Sequence, residues 1–112
     1  MSTADDFDVR TELTHDGAVA HVSGELDLAT ASKLEEALVE LPSSADFVVV
    51  NLSACTFLDS AGLRVLLTAA RRLAGEDRSL RVVTADPRIL RVLEITAIDT
   101  LIAVHPSLEA AL

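Results

Sequence analysis

The chain has no tryptophan or tyrosine, and it holds only three phenylalanines, one cysteine and four glycines in 112 residues. Each scarcity excludes something. A lone Cys55 cannot form an internal disulfide, so the fold must stand on packing. Glycine occurs only at 17, 24, 62 and 75, too widely spaced for a loop that brings backbone N–H groups against phosphates. A P-loop and a dinucleotide fingerprint are thereby excluded. The histidines His15, His21 and His105 lie on separate segments, none at metal-ligand spacing from a second His or Cys, and read as surface or turn residues. The longest apolar runs, 47–50 and 101–104, are far short of the ~20 residues of a membrane span. No basic-then-apolar leader opens the sequence, so reduced cytoplasm is the expected address.

Positive charge is also scarce. The formal net charge is −9, which repels phosphate backbones and excludes a general nucleic-acid binder. Residues 1–63 set Arg10 and Lys33 against twelve acids, whereas residues 64–112 set seven arginines against six acids. What is abundant is aliphatic: 50 % of the chain is apolar, mostly Val, Leu, Ile and Ala. Such a core suits parallel strands covered by helices.

One domain is expected over 7–112, after a loose acidic tail at 1–6. Phe7, Val9, Thr11 and Leu13 alternate as in a strand, 14–17 turns, and 18–24 forms a second strand, giving a hairpin that Gly24 ends. Leu34, Ala37, Leu38 and Leu41 fall at helical spacing. Thr30 or Ser32 is the candidate N-cap, Ser32 with Glu35 matches a capping box, and Pro42 lies beyond the end. The β-branched run opening 47–53 suits a strand buried on both faces.

A longer helix begins near Ser60. Leu63, Leu66, Leu67, Ala70 and Leu73 form its apolar stripe, and Gly75 is the candidate C′ residue. A fourth strand at 80–85, a helix with Asp86 as N-cap and Pro87 in its first turn, a last strand at 101–104 and a short helix complete the chain. The order predicts an α/β domain: a mostly parallel five-stranded sheet with an antiparallel edge strand and about four helices.

Two enzyme readings fail on particular residues. A hydrolase elbow needs Gly two residues before its Ser, but Leu58 stands there. A phosphoryl-accepting Asp59 would need further acids for a metal and a nearby cation, yet the first strand ends in Leu13 and the only Lys is Lys33. Cys55, beside a buried strand, reads as a small core residue. No catalytic residue, metal or cofactor is expected.

The distinctive stretch is "VVVNLSACTFLDSAGLRVLL", a buried strand that passes through Asp59 and Ser60 into an amphipathic helix. Physically, Ser60 could be an N-cap and nothing more. "VSGELDLATASKLEEAL" followed by "VVVNLSACTFLDSAGLRVL" resembles the STAS domain of bacterial anti-sigma factor antagonists, and the last third, "RVVTADPRILRVLEITAIDTLIAVHPSLEAAL", is similar to the family's. The resemblance implies a STAS-type fold and a protein–protein switch rather than an enzyme. Its implied partners are an ATP-binding anti-sigma factor serine kinase and a serine phosphatase. Unphosphorylated, the antagonist binds the anti-sigma factor and releases the sigma factor; phosphorylation, which falls on Ser60, switches it off. Asp27 matches a family position near the same surface, and Asp59, Ala61, Gly62, Leu63 and Arg64 fall on the serine loop and first turn where the kinase docks. The chain departs from the family in Asn51, where Asp is usual beneath the site, in Ala61, which replaces a second hydroxyl of some relatives, and in Ala97, often Gly. The alternative is a STAS module that binds without phosphorylation, as a subunit of a lipid transporter or larger signalling assembly.

Overall fold

A computed structural model describes residues 6–112; the expected tail at 1–6 lies almost wholly outside these residues. Five strands form one sheet in the order β1-β2-β3-β4-β5. They are β1 (Asp8–Leu13), β2 (Gly17–Leu26), β3 (Phe47–Leu58), β4 (Ser79–Val83) and β5 (Ala103–His105). β1 pairs antiparallel with β2, as the hairpin pattern predicts, and every other pair is parallel. Four helices alternate with them: α1 (Ala31–Val39), α2 (Ser60–Ala74), α3 (Pro87–Ile95) and α4 (Leu108–Ala111).

Strand order never reverses, and α1, α2 and α3 share one core on one face of the sheet, as same-handed crossovers require. The main core lies between them, built from Val48, Val50 and Leu52 of β3 together with Leu34, Leu38, Leu66, Leu73, Ile89 and Leu93. The alternate residues Val19, Val49 and Val83 point to the opposite face, where Ala111 and Leu108 of α4 cover them. Residues 48–50 are thus buried on both sides, at 0–2 % exposure. A sheet without a reversal of strand order also has no switch-point crevice of the kind that holds nucleotides.

Several expected boundaries move. β2 does not end at Gly24 but runs on to Leu26, with register shifts against β3 on either side of Gly24. Gly24 has φ +91°, and a Cβ there would stand 3.0 Å from Phe7 Cα, so the kink needs glycine. β3 continues five residues past its expected end because β2 pairs with it as far as Leu58, whereas β4 stops at Asn51. β4 covers 79–83 rather than 80–85; Thr84 N still donates to the His105 carbonyl of β5 (3.0 Å), and its Oγ1 accepts from Asp86 N as the chain turns into α3. β5 is shifted from the expected 101–104, as Leu101 is exposed in a 3₁₀ turn's end.

The caps also differ. Thr30, one of the two expected candidates, is the N-cap of α1, but its hydroxyl donates to the Glu25 carbonyl (2.7 Å) and bonds no N–H of the helix. Ser32 is already inside α1, so the capping box with Glu35 does not form. Gly75 is right-handed (φ −65°), and the left-handed residue after α2 is Asp77 (φ 58°). Asp86 caps α3 with Pro87 following, as expected. Ala97 is held at φ 59°, a left-handed conformation that glycine adopts more readily than alanine.

Candidate functional site

The site is assembled where β2 and β3 end side by side. Asp59 follows Leu58 in extended conformation and is the N-cap of α2. Its Oδ1 accepts from Ala61 N (2.9 Å) and Gly62 N (3.2 Å), while Oδ2 accepts from Leu28 N (3.2 Å) in the β2–α1 loop. Asp59 N in turn donates to the Leu26 carbonyl. One carboxylate therefore satisfies two of the free N–H groups of α2 and joins two loops 31 residues apart in sequence.

Because Asp59 is the cap, Ser60 is not. It occupies the first position of α2 and is exposed, and its hydroxyl makes no hydrogen bond among the described residues. Asp27 shapes the adjoining loop, its Oδ1 accepting from Ala29 N at 3.0 Å. Below it Thr30, 1 % exposed, anchors the turn, its Oγ1 accepting from Asp27 N. The expected residues Asp27, Asp59, Ser60, Ala61, Gly62, Leu63 and Arg64 are thus gathered on one corner, on unequal footing. Gly62 is buried: a Cβ there would lie 2.6 Å from Leu58 Cδ1 and 2.8 Å from Leu26 Cγ. Arg64 is exposed.

Beside the serine, a shallow cleft of about 300 Å³ runs along α2, lined by Ser60, Leu63, Arg64, Leu67 and Arg71, with Thr96 and Ile98 opposite. Leu28, bonded to Asp59 through its amide, leaves its side chain 83 % exposed. Neither Leu28 nor the 96–98 wall was expected at the site. Leu28 is out of phase with the α1 stripe, a signal in the sequence for an apolar side chain left outside. The 96–98 wall has no local signal, because tertiary packing brings it to α2.

Asn51 is not beneath the site. It lies on the opposite face of the sheet, where Nδ2 donates to His21 Nδ1 (3.0 Å) and Oδ1 accepts from Ser53 N and Oγ. His21 Nε2 lies 2.9 Å from Glu12 Oε1, so His21 is a bonded, half-buried sheet residue rather than a surface or turn one. Cys55 is buried at 3 % exposure within β3. Burial pushes its thiol up from the ordinary value, which disfavours the thiolate a nucleophile needs. Among the described residues no group of three or more His, Cys, Asp or Glu could hold a metal ion, and no helix is long and apolar enough to cross a membrane.

The family described as Mlab, STAS domain matches residues 9–103. The anti-sigma-F factor antagonist RsfB of Mycobacterium tuberculosis is 33 % identical over 114 aligned residues, covering 100 % of this chain and 92 % of RsfB. A crystal structure of an anti-sigma factor antagonist from Mycobacterium paratuberculosis superposes with a TM-score of 0.88 at 32 % identity, over 99 % of this chain and 95 % of that one. The Bacillus cell fate determinant SpoIIAA in its phosphorylated form shares the fold, with a TM-score of 0.69 at 18 % identity over 94 % and 96 %.

Proposed function

Because this chain belongs to the STAS domain family of anti-sigma factor antagonists, we propose that it binds an anti-sigma factor that is also an ATP-using serine kinase, and that phosphorylation of Ser60 ends the binding. The unmodified protein holds the anti-sigma factor and frees the sigma factor; a serine phosphatase resets the cycle. The observation that carries this reading is the division of labour between two neighbouring residues. Asp59 takes the whole structural duty of the cap, which leaves Ser60 exposed and its hydroxyl unbonded among the described residues.

The docking surface is the corner around that hydroxyl. Asp27 and Asp59 set the two loops, Ala61, Leu63 and Arg64 form the first turn, and Gly62 lets that turn sit close against β2 and β3. Leu28 adds exposed apolar area. Phosphorylation adds about −1.5 to −2 charges at neutral pH. At the N-terminus of α2 that charge is locally favourable, by roughly 0.3–2 kcal/mol. Against a like charge of the partner about 5 Å away it costs on the order of 1–3 kcal/mol, and each 1.4 kcal/mol is about tenfold in affinity. The switch acts on the complex and leaves the domain folded.

Incubating the protein with its anti-sigma kinase and ATP should add one phosphate per chain, read by intact-mass spectrometry, and Ser60→Ala should abolish it. Unchanged labelling of Ser60→Ala, or none of the wild type, would remove Ser60 from the mechanism.

A further inference from the structure

On the reading that Ser60 is the phosphorylated residue, we propose that Arg64 captures the phosphate within the same helix, so that modification withdraws a positive charge from the cleft as well as adding negative charge. Ser60 and Arg64 stand four residues apart in α2, the spacing that puts two side chains on one helical face about 5–6 Å apart at Cβ. Both line the same cleft. Arg64 is exposed, and its guanidinium makes no ion pair or hydrogen bond among the described residues. It is also the first basic residue after Lys33, so the acidic half of the chain offers the phosphate no rival cation nearby in sequence.

The neighbouring acids are already engaged. Both oxygens of Asp59 accept backbone N–H groups, and Asp27 Oδ1 holds Ala29 N. Neither needs Arg64. The wall across the cleft, Thr96 and Ile98, carries no charge. A phosphoserine supplies three acceptor oxygens that a planar guanidinium can meet in pairs. The other arginine of the cleft, Arg71, stands eleven residues from Ser60, about 16 Å along the helix axis, out of reach of the phosphate. In the unmodified protein both arginines are open to carboxylates of a partner. After modification only Arg71 is.

The test uses full-length protein carrying phosphoserine at position 60 by genetically encoded incorporation, so no kinase is involved. ³¹P NMR then follows the second ionisation of the phosphate. Arg64→Gln should raise the midpoint of that titration by about 0.3 pH, the size expected for an exposed pair. Arg64→Lys should keep part of the effect, and Arg71→Gln should leave the midpoint in place. In the unsubstituted phosphoprotein the Arg64 Nε–H resonance should move together with the phosphate titration. Coincident midpoints for Arg64→Gln and the unsubstituted protein, or an equal shift from Arg71→Gln, would overturn the capture. Either result leaves the kinase-labelling experiment on Ser60 standing, and a failure of labelling leaves this titration standing.

Discussion

Asp59 accepts three backbone N–H bonds through two oxygens, two from its own helix and one from the β2–α1 loop. The consequence is that its removal is felt in two places. Asp59→Ala should lower unfolding free energy by about 1–2 kcal/mol, as loss of an N-cap does, measured by urea denaturation. It should also speed amide exchange at Leu28, which loses its acceptor 31 residues away. Unchanged exchange at Leu28 would mean that the two loops are held together by packing alone. This residue also marks where sequence reading runs out. Asp59 and Ser60 are both good caps by side-chain chemistry, and one residue's difference in where the helix starts decides between a structural hydroxyl and a free one. That choice rests on the backbone: φ −112° and ψ −172° keep Asp59 outside the helix, a fact set by where β3 ends against β2.

At the scale of elements, α2 must start in contact with the ends of β2 and β3 for the serine to sit on their shared corner. Gly62 makes that approach possible, since Leu26 and Leu58 already occupy the space of a Cβ. Alanine in a helix interior gains about 1 kcal/mol over glycine, yet overpacking a filled site costs about 1–3 kcal/mol. Gly62→Ala should therefore be net destabilising, with a lower urea midpoint at constant slope. A gain in stability would show that α2 can rise off the strands freely. The elements themselves were legible because their periods differ: alternation at Val9, Thr11 and Leu13 gave β1, and the Leu63–Leu66–Leu73 stripe gave α2. The far half of β3 was not legible. Ser53, Ala54, Thr56 and Phe57 are exposed and lack a buried run, and the strand is carried on by the pairing of Ala54, Cys55, Phe57 and Leu58 with β2. The cleft wall at Thr96 and Ile98 escaped for the same reason, being a product of tertiary packing.

For the whole molecule, the monotonic strand order puts three helices on one face and gives the described strands no topological switch point. The carboxyl ends of β2 and β3 carry an exposed corner at Ser60 and Leu28, where a charge can be added without entering the core. The net charge of −9 makes another negative group a small fractional change in self-repulsion, and the N-terminus of α2 offsets it locally. Ser60→Asp should accordingly leave the melting temperature within a few degrees of wild type, the range of about 0.5 kcal/mol for surface substitutions. It should weaken the complex with the anti-sigma factor by tenfold or more in calorimetric titration. The two measurements belong together. A large fall in melting temperature would mean that the hydroxyl supports the domain after all, and an unchanged affinity at an unchanged melting temperature would place the partner's contacts away from this corner. Only a stable domain with a weakened complex fits a switch whose charge acts across the interface rather than within the fold.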